Sequence, residues 1–438
     1  MLNILIDAYA VSPNWGSEPG MGWNWVCNLA KFCNLFIITE GEWKKEIEQS
    51  MEAALTNNMD KKVNPTLLAR DQAENMHFIY APVDDNPERC AEIRKMCWNQ
   101  GSWQFYVYYE KWERRVLKIA NEIIEEKKGT SDHIDVLHKL NMITYREPGY
   151  LWKIKSIPFV WGPVGGLGYY PLSFLREESN AATIKTIIKN ILIGLTFRFT
   201  PRVRKAMKAA SVVVSAYNEN AIETKRVYHK PYLQINETGA HINKESRPHK
   251  SDGNVFKIMW VGKFDHRKQL GIALQTMALL KDKPNIQLDI LGSGYDEDVK
   301  RYKKLASELE LNNTVRFLGV VPNVETRERM QDADLFLFTS VDDATSTVVP
   351  EAICAGLPVV CHALLGFGDL IEDNVGRKIM AKNPKHSARA FADIIIELES
   401  NREEVRRLSA NCINKQYEIS WEANARKMVA EYEHAINS

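Results

Sequence analysis

The chain has 438 residues, 45% apolar and 26% charged, the balance of a folded globular protein long enough for two or three domains. Its 57 basic and 56 acidic residues leave a net charge of +1, so no global field draws it to nucleic acid. No uncharged apolar run reaches the roughly 18 residues that a membrane span needs, and the opening MLNILIDAY lacks the basic start and cleavage site of a secretory leader.

From that opening onward, short apolar runs rich in β-branched residues alternate with longer amphipathic segments. Residues 2–9, 34–40, 76–82, 134–140, 157–162 and 211–216 predict buried parallel strands, with helices such as 21–32 and 103–128 between them. This is a βαβ series, hence a doubly wound α/β sheet. Polar stretches follow several strand ends. AVSPNWGSEPGMGWNW (10–25) is a glycine-rich loop entering a helix, and WGPVGGLG (161–168) is another. The strand IDVLHKLN carries His138, followed by Asn141, Arg146 and Glu147. Residues 183–208 hold seven Lys or Arg and no acid, interleaved with Ile, Leu and Phe. Such a stretch suits an anionic membrane surface, or a packed helix pair with a solvated basic face.

Periodicity lapses at NETGAHINKESRPHKSDGN (236–254), which reads as the connection between a domain at 1–240 and another at 250–419. A second strand series follows at 256–262, 286–292, 314–319, 335–340 and 357–362. An amphipathic helix near 420–436 closes the chain and is placed to cross back onto the first domain. Two such sheets leave a cleft between them, and ligands of open α/β sheets bind beyond the carboxyl ends of the strands. The seven cysteines (Cys27, Cys33, Cys90, Cys97, Cys354, Cys361 and Cys412) form no C-x-x-C, so free buried thiols are expected.

The most informative segment is TSVDDATSTVVPEAICAGLPVVCH (339–362). A strand ends at Thr339-Ser340, a turn carries Asp342 and Asp343, a helix is predicted to start within 345–348, and Glu351 follows Asp343 by eight residues. A helix start beyond a strand end offers free N–H groups to a phosphate, with Ser346 and Thr347 adding hydroxyls. An ordinary strand–helix–strand, with Asp343 as a cap and Glu351 on a solvated face, has the same pattern.

The segment resembles the signature of the retaining glycosyltransferases of family 4, which have the GT-B fold. Their Glu, seven residues, Glu pattern falls on Asp343 and Glu351, and their small-residue turn on Ala355-Gly356-Leu357-Pro358. Asp343 is shorter than the usual Glu, and Ala344 and Ser346 replace the usual glycines. The resemblance extends to FKIMWVGKFDHRKQLGIAL (256–274), where Gly262-Lys263 and Lys268 match the pair that grips the donor diphosphate, with Arg267 one residue out of register.

On that resemblance Lys263, Lys268, Asp343, Glu351 and His138 are the catalytic candidates. Gly262, Arg267, Gly292, Gly294, Phe317, Ala344, Thr345, Ser346, Thr347 and Val348 are the donor-binding ones. Gly16, Ser17, Glu18, Gly20, Asn141, Arg146, Gly165 and Gly166 are expected on the acceptor or phosphate loops. The family's second histidine is absent, since Leu140 stands there, and a lone His138 serves equally as a structural group.

The resemblance implies transfer of a sugar from a nucleotide-sugar, with retention, to a glycan or lipid-linked glycan in polysaccharide or lipopolysaccharide synthesis. It places the protein in the cytoplasm or at the inner membrane face. No D-x-D and no ligand cluster accompanies the motifs, so neither a metal nor another cofactor is expected. Two other readings share the fold: a nucleotide-sugar 2-epimerase, and a non-catalytic nucleotide-sugar binder.

Overall fold

The apolar runs of the first half form six strands: β1 (Leu2–Ala8), β2 (Cys33–Thr39), β3 (Met76–Tyr80), β4 (Val136–Asn141), β5 (Phe159–Val164) and β6 (Val212–Ser215). The computed structural model describes residues 1–97, 103–175, 180–249 and 251–438. The six strands pair in parallel in the order β3-β2-β1-β4-β5-β6. Helical crossovers on both faces explain why β1 from Asn3 onward and all of β4 are buried, the polar His138, Lys139 and Asn141 of β4 included.

The second half repeats the plan with β7 (Phe256–Val261), β8 (Ile286–Leu291), β9 (Val315–Gly319), β10 (Leu335–Phe338), β11 (Val359–His362) and β12 (Gly376–Ile379), ordered β12-β11-β10-β7-β8-β9. The fold is therefore α/β, with two doubly wound parallel sheets, as the alternation predicts. Strand β12 escaped the sequence reading. It is four residues long, includes Arg377 and Lys378, and lies on a sheet edge, where charged side chains reach water and no long apolar run is needed.

The loop at 10–25 also differs from expectation. Its helix begins at Ser17 and runs to Leu29, so Gly20 lies inside it. A Cβ on Gly20 would stand 2.1 Å from the Trp15 carbonyl oxygen, and one on Gly22 2.3 Å from that of Ala10. The glycines let the helix pack tightly against the preceding chain.

The last helix, Trp421–Asn437, packs on the first half. Trp421, Ala425, Met428, Tyr432 and Ala435 share a core with Ile4, Ile6 and Trp25, and the Trp25 and Trp421 rings meet edge to face at 6.2 Å. Other ties join the halves directly. The Asn218 N–H donates to Asp369 (2.8 Å), the Leu365 N–H to Glu219 (3.0 Å), and the Asn236 amide to the Gly366 carbonyl (3.1 Å). Six of the seven cysteines are buried and free; Cys97 lies outside the described side chains.

Candidate functional site

Strands β7 and β10 are neighbours, so the turns leaving their carboxyl ends meet. The Thr339 hydroxyl donates to the Lys268 carbonyl (2.7 Å) and accepts from the Trp260 indole N–H (2.9 Å). The Ser340 hydroxyl and the Val341 N–H both donate to the Arg267 carbonyl (3.1 and 2.9 Å). Backbone geometry thus fixes where Lys268 emerges. Its ammonium forms an ion pair with Asp343 and lies 4.9 Å from the centre of the Phe338 ring. Arg267 is turned toward Asp265 (2.7 Å), and the exposed Lys263 lies over the Tyr295 ring at 5.5 Å.

Beyond Asp343 the chain turns through the half-buried Ala344 and the buried Thr345 and Ser346 before helix Val348–Cys354 begins, with Thr347 at its cap. The helix thus starts within the predicted 345–348, at Val348. Ser346 has φ +54° and is 8% exposed, and its hydroxyl has no hydrogen-bond partner. Glu351 sits in the first turn of the helix, half-buried, its carboxyl pushed above the usual range by burial. Phe317 lies on edge strand β9 with its ring against Phe264.

Gly262, Gly292 and Gly294 have a packing reason. A Cβ on Gly292 would stand 1.9 Å from the Gly262 carbonyl oxygen, and one on Gly294 2.8 Å from Phe264 atoms. These turns need glycine to pack against each other, and no ligand is required to explain it.

On the opposite side two sequence assignments are corrected. His138 is fully buried and does not reach the cleft. Its Nε2–H donates to the Gly162 carbonyl (2.7 Å), its Nδ1 accepts from the Tyr432 hydroxyl (2.7 Å), and burial lowers its pKa to about 4. It is a neutral structural histidine joining β4 to the last helix. Asn141 is likewise buried, and its amide is spent on the backbone of Ala10, donating to the carbonyl (2.7 Å) and accepting from the N–H (3.3 Å).

The 161–168 loop has also committed its donors. The Gly165 N–H donates to the Ile143 carbonyl (2.8 Å), and the N–H groups of Gly166 and Gly168 donate to the Tyr217 hydroxyl (3.1 and 2.9 Å). Gly16 and Ser17 are exposed, and Arg146 stacks on the Tyr145 ring at 4.6 Å. Glu18 accepts from the Ile143 N–H (2.9 Å), and burial raises its pKa.

Glu237, in the segment taken as a polar connection, was missed. It is 8% exposed, and its Oε1 accepts from the Thr345 hydroxyl (2.6 Å), while its carbonyl accepts from the Trp25 indole N–H (2.8 Å). Burial, with Glu18 and Asp343 nearby, lifts its pKa to about 7. The available signal was position: Leu233–Ile235 lies beside the end of β6, through the pairing of Gln234 with Ser215, so an acid just after it falls at the cleft edge.

A second missed cluster lies deeper. Lys139 pairs with Asp7 (3.1 Å) and Glu113 and donates to the Tyr109 hydroxyl (2.7 Å), all four residues being almost wholly buried.

Residues 241–415 match the family model of the glycosyl transferases, group 1. The second half therefore carries a group 1 glycosyltransferase domain. Among similar proteins are the amylovoran biosynthesis glycosyltransferase AmsK of Erwinia amylovora, 29% identical over 34% of this chain and 37% of that protein. Another is the putative colanic acid biosynthesis glycosyltransferase WcaL of Escherichia coli, 28% identical over 36% and 40%. The chain thus spans less than half the length of either relative.

Solved structures match over the whole chain. HepE of Anabaena, in complex with UDP, covers 99% of this chain and 100% of its own at 14% identity and a TM-score of 0.58. The sucrose-phosphate synthase of Thermosynechococcus elongatus covers 99% of both at 15% and 0.59. The fold is GT-B.

Proposed function

We propose that the protein transfers a hexose from a nucleoside-diphosphate sugar to a glycan or lipid-linked glycan, with retention of anomeric configuration and without a metal. One observation carries this reading: a lysine ammonium, Lys268, stands against the loop that holds Asp343 and the unpartnered Ser346 hydroxyl, at the carboxyl edge of the second sheet. Loss of the sugar leaves negative charge on the departing diphosphate. A cation about 4 Å away at an effective dielectric near 20 contributes up to ~4 kcal/mol, and roughly 1.4 kcal/mol is tenfold in rate. Cations placed in advance, with Arg267 and Lys263 at the same turn, favour that charged transition state. The acceptor hydroxyl attacks on the face the diphosphate leaves and passes its proton to the departing phosphate, so no separate protein base is assigned. Glu351 and Asp343 are assigned to hydroxyls of the ribose and the sugar.

Support also comes from the relatives, named for amylovoran and colanic acid biosynthesis, and from HepE, solved with UDP-glucose. The epimerase alternative loses its one histidine candidate, because His138 is spent inside the fold. The test is a thermal-shift screen of UDP, GDP, ADP and their sugars, followed by turnover with a glycan acceptor in EDTA. A raised Tm with one nucleotide and sugar transfer in EDTA are expected. Epimerised donor without acceptor, or no shift with any nucleotide, contradicts the reading.

A further inference from the structure

Helix Asn180–Phe199 turns much of its apolar surface outward. Ile184 (58% exposed), Ile188, Ile191, Leu192, Leu195 and Phe199 (64%) recur at helical spacing and share one face. The other side is anchored, with Ile193 and Phe197 buried and the Tyr145 hydroxyl donating to the Ile193 carbonyl (3.1 Å). A helix on a soluble surface ordinarily does the reverse, and an exposed contiguous stripe of this kind marks an interaction site.

Charge selects the occupant. Lys185, Lys189 and Arg198 flank the stripe, and Arg204, Lys205 and Lys208 are exposed on the following helix, Pro201–Ala209, with no acid between 180 and 209. Aliphatic side chains bordered by cations fit a helix lying flat in anionic headgroups, its lysines reaching up to phosphates. A second patch agrees: Trp103 (71% exposed) and Tyr106 lie on helix Trp103–Lys127, and these residue types favour the membrane interface. Both helices border one cavity of about 550 Å³, to which the first contributes Thr196 and the second Glu110, with Arg146 and Arg202 between.

We infer that this face docks on an anionic phospholipid bilayer, with helix Asn180–Phe199 in the headgroup layer and Trp103 and Tyr106 as a second contact. The cavity between them then opens at headgroup level. Lys189, 3.5 Å from Asp342, links the docked helix to the donor loop. The inference rests on the proposed transfer only in making the acceptor lipid-linked; the docking itself does not require it.

The test is therefore made without donor. The full chain is sedimented with vesicles of phosphatidylcholine alone and of phosphatidylcholine mixed with phosphatidylglycerol. It should pellet with the mixed vesicles, less so at high salt. The double variant Ile188→Asp, Ile191→Asp should lower the partition constant about tenfold or more while keeping the parent's Tm. Lys185→Glu with Arg198→Glu should weaken binding to the mixed vesicles selectively. The inference is overturned by a chain that stays in solution with both vesicles, or by an aspartate variant that binds like the parent. It is equally overturned by a parent dimer that the variant turns into a monomer, since the stripe would then cover a second copy.

Discussion

Lys268 is committed to Asp343 before any ligand arrives, with only 15% of its side chain exposed. A diphosphate at this turn competes with a carboxylate that is already paired, and that pair holds the ammonium in place. Lys268→Ala is therefore expected to lower kcat/KM by about two to three orders of magnitude with little change in Tm, measured by steady-state kinetics and calorimetry. Glu237 makes a different prediction, on stability. An acid whose pKa is raised on folding binds its proton more tightly in the native state, so stability is fullest at low pH and declines as pH rises from 4.5 toward about 7. At about 1.4 kcal/mol per unit, complete ionisation costs the fold on the order of 3 kcal/mol. Glu237→Gln keeps an acceptor for the Thr345 hydroxyl and carries no charge. It should raise Tm at pH 8 and leave it unchanged at pH 4; an equal change at both would remove the carboxyl from this role.

At the level of elements, strands were legible where short runs rich in Ile, Leu and Val stand between longer amphipathic segments, even where a polar residue interrupts the run. Residues 286–292 became β8, Ile286–Leu291, whose Ile286, Leu288 and Ile290 are buried while Gln287 and Asp289 on the other face are half-buried. The family resemblance, through Gly262-Lys263 and Lys268 and the spacing of Asp343 and Glu351, implied that these two turns share a site. The sequence did not indicate which side of a strand a polar residue takes. His138 and Asn141 lie on a strand buried on both faces, so a location near its end said nothing about access to the cleft. Glu237 was obscured for the opposite reason, since a polar run without periodicity looks solvated even where it threads between two halves. The resemblance put Gly292 among the donor-binding residues, whereas in the fold its missing side chain gives room to another turn. Gly292→Ala should cost at least about 2 kcal/mol, through its φ of +124° and its contact with the Gly262 carbonyl. A fall in the urea midpoint checks it, and an alanine variant as stable as the parent would return the glycine to the ligand.

Across the whole molecule the chain order and the packing disagree: the last helix belongs to the first half. Trp421, Met428 and Tyr432 fill the core beside Trp25 and β4, and Tyr432 supplies the hydroxyl that His138 Nδ1 accepts. Fully burying each such side chain contributes about 1.5–3 kcal/mol, and domains are stable by only about 5–15 kcal/mol in total. The core around β7, β8 and β10 includes none of these residues. Deleting 421–438 should therefore unfold the first half and spare the second. Limited trypsin digestion of the truncated chain should leave a protected fragment containing residues 256–415 while the first sheet is degraded. In the intact protein both halves should resist together, because residues 236–240 and the last helix close on each other through Asn424, whose amide donates to the Asn236 carbonyl (3.1 Å), and through the paired backbones of Ala240 and Ser420. Equal protection of both halves after truncation would mean that the first core stands without its final helix.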